Sequence, residues 1–241
     1  MKASAVLRAT ATGLIATVTA CVLISLGAVT AFRARRLYAA IVRRAARLAL
    51  RLYGIRLRLH HAELLRHTQT VYISNHSSTL DLFVLVAIGL PNSRFFLSGF
   101  LRKWIPLGVI AWMLGTFFTV PQNRPEERAR IFARAERILR RTGESVYLSP
   151  EGGRITTGEL GHFNKGAFHL ATNLRVPIVP LYIDIPADVD PVLGYDAHPG
   201  TVDVHVLPAI DTRDWTLEGL LVNVEQSRAV LARFQRSLAI A

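Results

Sequence analysis

Three patterns of hydrophobic and polar positions recur along the chain, and each predicts a different element. From Ala9 to Phe32 there are 24 residues without a charge, and a helix needs about 20 to cross a bilayer's hydrocarbon layer. The next segment, "LYAAIVRRAARLALRLYG", sets Arg43, Arg47 and Arg51 at four-residue spacing opposite Ile41, Leu48 and Leu52. That spacing makes one basic and one apolar stripe, the pattern of a helix lying in the headgroup layer. After Gly54 the period changes to two: "IRLRLHH" alternates, "AELLRHTQ" is a turn, and "TVYIS" is a short β-branched and aromatic strand. Residues 82–90 read as a helix ending before Pro91.

The apolar run from Trp104 to Val120 is broken by Pro106, Gly108 and Gly115, so buried or interfacial structure is expected there rather than a second span. "RPEERARIFARAERILRRTG" has Pro125, Glu126 and Glu127 at its start. Ile131, Phe132, Ala135, Ile138 and Leu139 share one face, and Gly143 marks the end of this soluble helix. "SVYLS" is a strand leading into "PEGGR", "NKGAFHLATN" a short helix, "VPIVPLYID" and "TVDVHVL" two more strands, and residues 217–238 a closing helix. Strands alternate with helices, which predicts an α/β fold: a single domain with a mixed, mostly parallel sheet flanked by helices. That domain is assigned to residues 54–241. Residues 1–53 supply an N-terminal membrane helix and the basic amphipathic helix.

Charge changes the picture by its location. The net charge is +12, yet residues 1–66 hold Lys2 and eleven Arg against the single acid Glu63. The remainder is nearly balanced. A basic cluster beside an apolar terminus meets anionic headgroups, whereas a nucleic-acid domain spreads its basic patch over the folded body, so membrane lipids are the expected partner and nucleic acid is not. A cleaved signal peptide is disfavoured because the apolar run exceeds the usual ~7 to 15 residues and is followed at once by Arg33, Arg35 and Arg36. The excess of Arg after the run places the body on the cytoplasmic face of a membrane, with a bacterial inner membrane as the expected location. Cys21 is the only cysteine, so neither a disulfide framework nor a cysteine-based metal site is available.

The chemistry is carried by short motifs at strand ends. In "ISNHSSTLDLF", His76 follows a strand, and Asp81, five residues on, is within reach of a ring nitrogen. A carboxylate there fixes the imidazole tautomer and stabilises the imidazolium, which makes His76 a candidate general base toward a hydroxyl. Taken alone, such a pair is as compatible with a local hydrogen bond or a helix cap. "SPEGGR" brings Glu151, Gly152, Gly153 and Arg154 directly after a strand, where glycines free N–H groups for an anion. "HFNKGAF" sets Lys165 at a helix start.

In this order the motifs resemble the glycerolipid acyltransferase family, best known for 1-acylglycerol-3-phosphate O-acyltransferases. Asn75, His76 and Asp81 match its N-H-x-x-x-x-D block, "SPEGGRIT" is similar to F-P-E-G-T-R-S, Phe163–Gly166 to F-K-x-G, and Val176–Pro180 to V-P-I-V-P. The resemblance implies acyl transfer from a thioester, acyl-CoA or acyl-ACP, to a lysolipid hydroxyl, in phospholipid biosynthesis, with no cofactor and no metal. It makes His76 and Asp81 catalytic, and Glu151, Gly152, Gly153, Arg154 and Lys165 substrate-binding; an acyl carrier protein is a possible partner. The family's second block ends on an Arg that binds acceptor phosphate. In "GTFFTVPQNR" that position is Pro121 and the nearest Arg is Arg124, which leaves two alternatives: Arg124 substitutes, or the acceptor is a different lysolipid, such as another lysophospholipid or a lyso-ornithine type. A serine hydrolase lacks its G-x-S-x-G and a zinc hydrolase its H-E-x-x-H. A non-catalytic lipid-binding protein would have no use for His76 with Asp81.

Overall fold

The computed structural model describes residues 3–191 and 196–240. Seven strands form one sheet: β1 (Ile55–His60), β2 (Val71–Ser74), β3 (Ser93–Ser98), β4 (Phe117–Thr119), β5 (Ser145–Tyr147), β6 (Ile178–Asp184) and β7 (Gly200–Val206). Their order is β1-β7-β6-β2-β5-β3-β4, and every pairing is parallel except β6 with β7. The helices are α1 (Ala3–Val29), α2 (Arg35–Leu52), α3 (Leu80–Ile88), α4 (Ile105–Met113), α5 (Pro125–Thr142), α6 (Gly166–Leu174) and α7 (Leu220–Ile240). This is the expected α/β domain with a mixed, mostly parallel sheet. Strands β3 and β4 are additions to the sequence reading.

Because successive side chains of a strand point to opposite faces, β2 feeds two cores. Tyr72 packs with Val84, Leu85 and Leu181 under α2 and α3. Val71 and Ile73 pack with Leu139, Phe168 and Leu231 under α5, α6 and α7. Pro180 sits inside β6, where a missing N–H would ordinarily cost a ladder bond. Here its carbonyl accepts from Leu207 N–H at 2.9 Å, one step past the last β6–β7 pair, Leu181 with Val206, so the loss falls where the ladder stops.

Among the described residues one helix, Ala5–Val29, is long and apolar enough to cross a membrane. Ala20 and Leu23 are buried against α2 and α4 through Tyr38, Val42, Ile110 and Met113, while Leu7, Leu14, Val18 and Val29 are exposed. Leu37, Leu48 and Leu52 of α2 are exposed as well, as are Phe32, Trp104, Ile105 and Trp112. The run 104–120 is thus α4 packed on α1, followed by a short strand, in keeping with buried or interfacial structure.

The start of α2 is pinned to the sheet by ions. Glu144, just after the left-handed Gly143 that ends α5, pairs with both Arg35 and Arg94. Burial works to raise its pKa, but the hydrogen bond from Arg94 and the charge of Arg35 outweigh it and hold the carboxyl below its ordinary value. A depressed carboxylate stabilises the fold above the unfolded-state pKa, about 4.3, and loses that contribution as pH falls through the folded value. Glu144→Gln leaves two half-buried guanidinium groups facing each other. It is expected to cost ~2 to 4 kcal/mol at pH 7 in thermal unfolding in neutral detergent, and the gap to wild type is expected to narrow below pH ~4.5.

Candidate active site

The carboxyl ends of β2, β5 and β6 emerge side by side, which in an open α/β sheet is where ligands are held. Asn75 closes the first end against β6, donating from Nδ2 to Ile183 O at 2.9 Å and accepting from Ile183 N at 2.8 Å. Beneath it, Ser74 Oγ and Tyr147 OH lie 2.9 Å apart in the core, and burial pushes the Tyr147 phenol well above its usual range. The loop that presents the next residue is therefore built on a rigid floor.

That residue is His76. Its Nδ1 is 2.7 Å from Asp81 Oδ2, and the same oxygen accepts from Ser77 N at 2.9 Å and Ser78 N at 3.0 Å. Asp81, from the first turn of α3, thus ties down the loop that precedes the helix and orients the imidazole with one atom. Its side chain is 2% exposed against 31% for His76, so the charge is held inside while the ring edge faces out. With Nδ1–H given to the carboxylate, Nε2 carries the lone pair that can take a proton. Asp81 lies in the first turn of α3, which begins two residues earlier than the sequence pattern indicated.

Glu151 holds the backbone of the same histidine. His76 N donates to Glu151 Oε2 at 2.6 Å and Gly161 N to Oε1 at 2.8 Å. Burial raises the Glu151 pKa above the ordinary value, against the opposing effect of those two N–H groups. From the same loop Ile155 N donates to His76 O at 2.8 Å. The sequence grouped Glu151 with substrate-binding residues; its carboxylate is occupied by two backbone donors and is itself buried.

The "PEGGR" turn depends on Gly152, whose φ of +70° lies in the left-handed region and where a Cβ would come within 2.8 Å of Asn164 Nδ2 and 3.2 Å of Gln122 Nε2. At Gly153 nothing lies within 4 Å of such an atom. The N–H of Gly152 turns back to Ser149 O. Those of Gly153 and Arg154 have no acceptor among the described residues. Arg154 extends over the start of α3, donating from Nη1 to Thr79 Oγ1 at 2.5 Å, and makes no ion pair among the described residues.

Asn164 ties the next block to this turn by donating from Nδ2 to Pro150 O at 2.9 Å and Glu151 O at 3.1 Å. Lys165 follows it at the start of α6 and is exposed. Arg124 stands apart. It precedes α5 and its Nη1 reaches Glu127 Oε2 at 3.4 Å in an exposed pair. The residue of the second block that touches the turn is Gln122, which donates to Asn164 Oδ1 at 3.3 Å. Sequence reasoning missed Gln122 and Thr79. The available signal for Gln122 was its place one residue past Pro121, where the family pattern expects a phosphate-binding Arg. Among the described residues no group of three or more His, Cys, Asp or Glu side chains is placed to hold a metal ion.

A buried carboxylate behind an outward-facing imidazole, beside a glycine turn with unspent N–H groups, is an arrangement with the chemistry to take up a proton and to hold a developing anion. The chain belongs to the acyltransferase family, whose model matches residues 56–184. It is 38% identical over 116 residues to 1-acyl-sn-glycerol-3-phosphate acyltransferase BAT2, chloroplastic, of Brassica napus, covering 47% of this chain and 32% of that protein. It is 30% identical over 173 residues to the mouse 1-acyl-sn-glycerol-3-phosphate acyltransferase alpha, covering 68% of this chain and 58% of that protein. The chain therefore spans about a third to three fifths of the length of these relatives. The crystal structure of the 1-acyl-sn-glycerophosphate (LPA) acyltransferase PlsC from Thermotoga maritima superposes with a TM-score of 0.75 at 20% identity, covering 98% of both chains. It shares the fold.

Proposed function

We propose that this chain moves a fatty acyl group from an acyl thioester to the hydroxyl of a lysolipid, with 1-acylglycerol-3-phosphate, for which its relatives are named, as the acceptor. The observation that carries this reading is the His76–Asp81 pair, with Nδ1 held at 2.7 Å by a carboxylate and Nε2 left facing outward. His76 Nε2 takes the hydroxyl proton as the acceptor oxygen attacks the thioester carbonyl. Asp81 stabilises the imidazolium that results. The tetrahedral oxyanion is met by the unspent Gly153 and Arg154 N–H groups, a role that pre-aimed backbone donors fill in acyl transfer. On collapse the carbon–sulfur bond breaks and the imidazolium returns its proton to the thiolate. One ester and one thiol leave, and the enzyme regains its starting protonation. The thiol belongs to coenzyme A or an acyl carrier protein. α1 and the basic stripe of α2 hold the body to the cytoplasmic face of a membrane, a bacterial inner membrane in this reading, where the lysolipid resides.

Arg154 is assigned to the acceptor's phosphate, since a guanidinium fork contacts phosphate through two N–H groups at once. Arg154→Ala is expected to raise the acceptor KM ~10- to 100-fold, the worth of one charge-assisted hydrogen bond, while leaving the donor KM within ~3-fold. Equal changes in both constants would remove Arg154 from the acceptor site. One observation favours a second acceptor: Arg124 is engaged with Glu127, and a neutral Gln122 occupies the turn in its stead. Steady-state assays with lysophosphatidate beside a lysolipid lacking a phosphomonoester decide between them. Faster turnover of the latter would make this an acyltransferase of a different lysolipid.

A further inference from the structure

α2 carries a second basic feature besides its general charge. A cavity of about 240 Å³ opens between α2 and the far end of α3, lined by Arg35, Arg36 and Arg43 on the polar side and by Ala40, Val86 and Leu114 on the apolar side. No Asp or Glu lines it among the described residues. It lies at the Gly89 end of α3, whereas Asp81 sits in the first turn; nine residues at ~1.5 Å rise separate the two ends by about 13 Å. The cavity is thus separate from the His76 site.

The guanidinium groups on this face are not equivalent. Arg35 is occupied by Glu144, Asn92 and the carbonyl of Ser93, and Arg47 donates to Ala87 O at 2.8 Å. Arg36 is exposed and makes no hydrogen bond or ion pair among the described residues. Arg43 Nε is buried with no hydrogen-bond partner among them, an arrangement that costs free energy unless a ligand supplies the acceptor. The Arg43 stem is held in place by Gly89, where a Cβ would fall 2.4 Å from Arg43 Cδ. Two available cations therefore converge on a preformed, acid-free hollow.

The surroundings indicate what kind of anion reaches it. On α2, residues 36, 40, 43 and 47 share one face of the helix, and the exposed Leu37 and Leu48 lie on the adjoining face. Leu114, at the floor, follows the helix that carries exposed Trp112, which meets exposed Phe32 edge-on at 5.6 Å. Aromatic and basic side chains mixed with exposed aliphatics mark the headgroup level of a bilayer. A volume below the ~300 to 1,000 Å³ of pockets that enclose a whole ligand admits a headgroup and the first methylenes only.

We infer that this cavity is a binding site for one anionic phospholipid, with the lipid phosphate on Arg36 and Arg43 and the start of its chains along Ala40, Val86 and Leu114. The site is independent of the acceptor chosen at His76. It anchors α2, and with it α3, to one lipid molecule rather than to a diffuse surface charge.

The test titrates the full chain in neutral detergent with phosphatidylglycerol, phosphatidylcholine or inorganic phosphate, and counts retained lipid by native mass spectrometry. One phosphatidylglycerol is expected to bind ~10-fold or more tightly than phosphatidylcholine, and the paired variant Arg36→Gln with Arg43→Gln to lose ~10-fold or more of that affinity. Ala40→Leu, which fills the hollow without changing charge, is expected to lose as much. The pair Arg44→Gln with Arg51→Gln, equal in charge on the same helix but outside the cavity, is expected to change affinity less than ~3-fold. Equal losses in both pairs would reduce the effect to surface charge and overturn the site. Displacement of the lipid by millimolar inorganic phosphate, with Ala40→Leu unaffected, would make it a free-phosphate site and overturn the lipid assignment.

Discussion

His76→Ala is expected to lower thioester-dependent acylation by ~10²- to 10⁴-fold, the usual worth of a positioned general base. The ring is 31% exposed and packs into no core cluster, so its removal opens no deep cavity and thermal unfolding is expected to shift little. Asp81 stays behind as a buried carboxylate that still accepts from the Ser77 and Ser78 N–H groups of the loop before α3, which preserves the local backbone. Membrane association, proposed above to rest on α1 and α2, is expected to be unchanged. The measurement is turnover of radiolabelled acyl thioester with lysophosphatidate by membranes carrying equal amounts of each protein. Transfer within ~3-fold of wild type would remove His76 from the role of base.

Glu151→Gln is expected to give the second largest effect. The substitution keeps the volume but turns one acceptor oxygen into a donor, so the N–H of His76 or of Gly161 faces an NH2 group. Losing one charge-assisted bond in a buried site costs ~1.5 to 3 kcal/mol. Here the donor is the backbone of His76, the proposed base, and a displacement of ~1 Å can cost ~10²-fold in rate. A fall in kcat of ~10- to 100-fold with both KM values nearly constant is expected. A rise in acceptor KM at constant kcat would instead place Glu151 among the groups that bind substrate.

Much of this arrangement was legible in the sequence, because the strand-end motifs are short and local. The His76–Asp81 spacing, the amphipathic stripe of α2 and the capped pattern of α5 each state their own geometry within a few residues. What escaped detection depends on distant partners. β4, at three residues, is too short to show a period of two, and it exists because Phe96–Ser98 of β3 lie beside it. β3 follows Pro91 and Asn92 with a pattern, "SRFFLS", that is half polar and half apolar without alternating, and its strand character comes from pairing with β5. The position of Glu151 under His76 joins residues 75 apart. Arg124 turns to a neighbour three positions on, a side-chain choice among several donors that a spacing argument does not resolve. α3 begins before the apolar run that marks it, with Asp81 in its first turn reaching back to the N–H groups of Ser77 and Ser78.

Direct transfer by a base at His76 is tested by following both products of one reaction. The purified protein in detergent is mixed with acyl thioester and lysophosphatidate, free thiol is read with a thiol reagent, and esterified lipid is quantified by mass spectrometry. Thiol and new ester are expected in equal amounts, with thiol release falling to background when the lysolipid is withheld and in the His76→Ala protein. Thiol release that continues without acceptor would contradict it and mark the site as a thioester hydrolase.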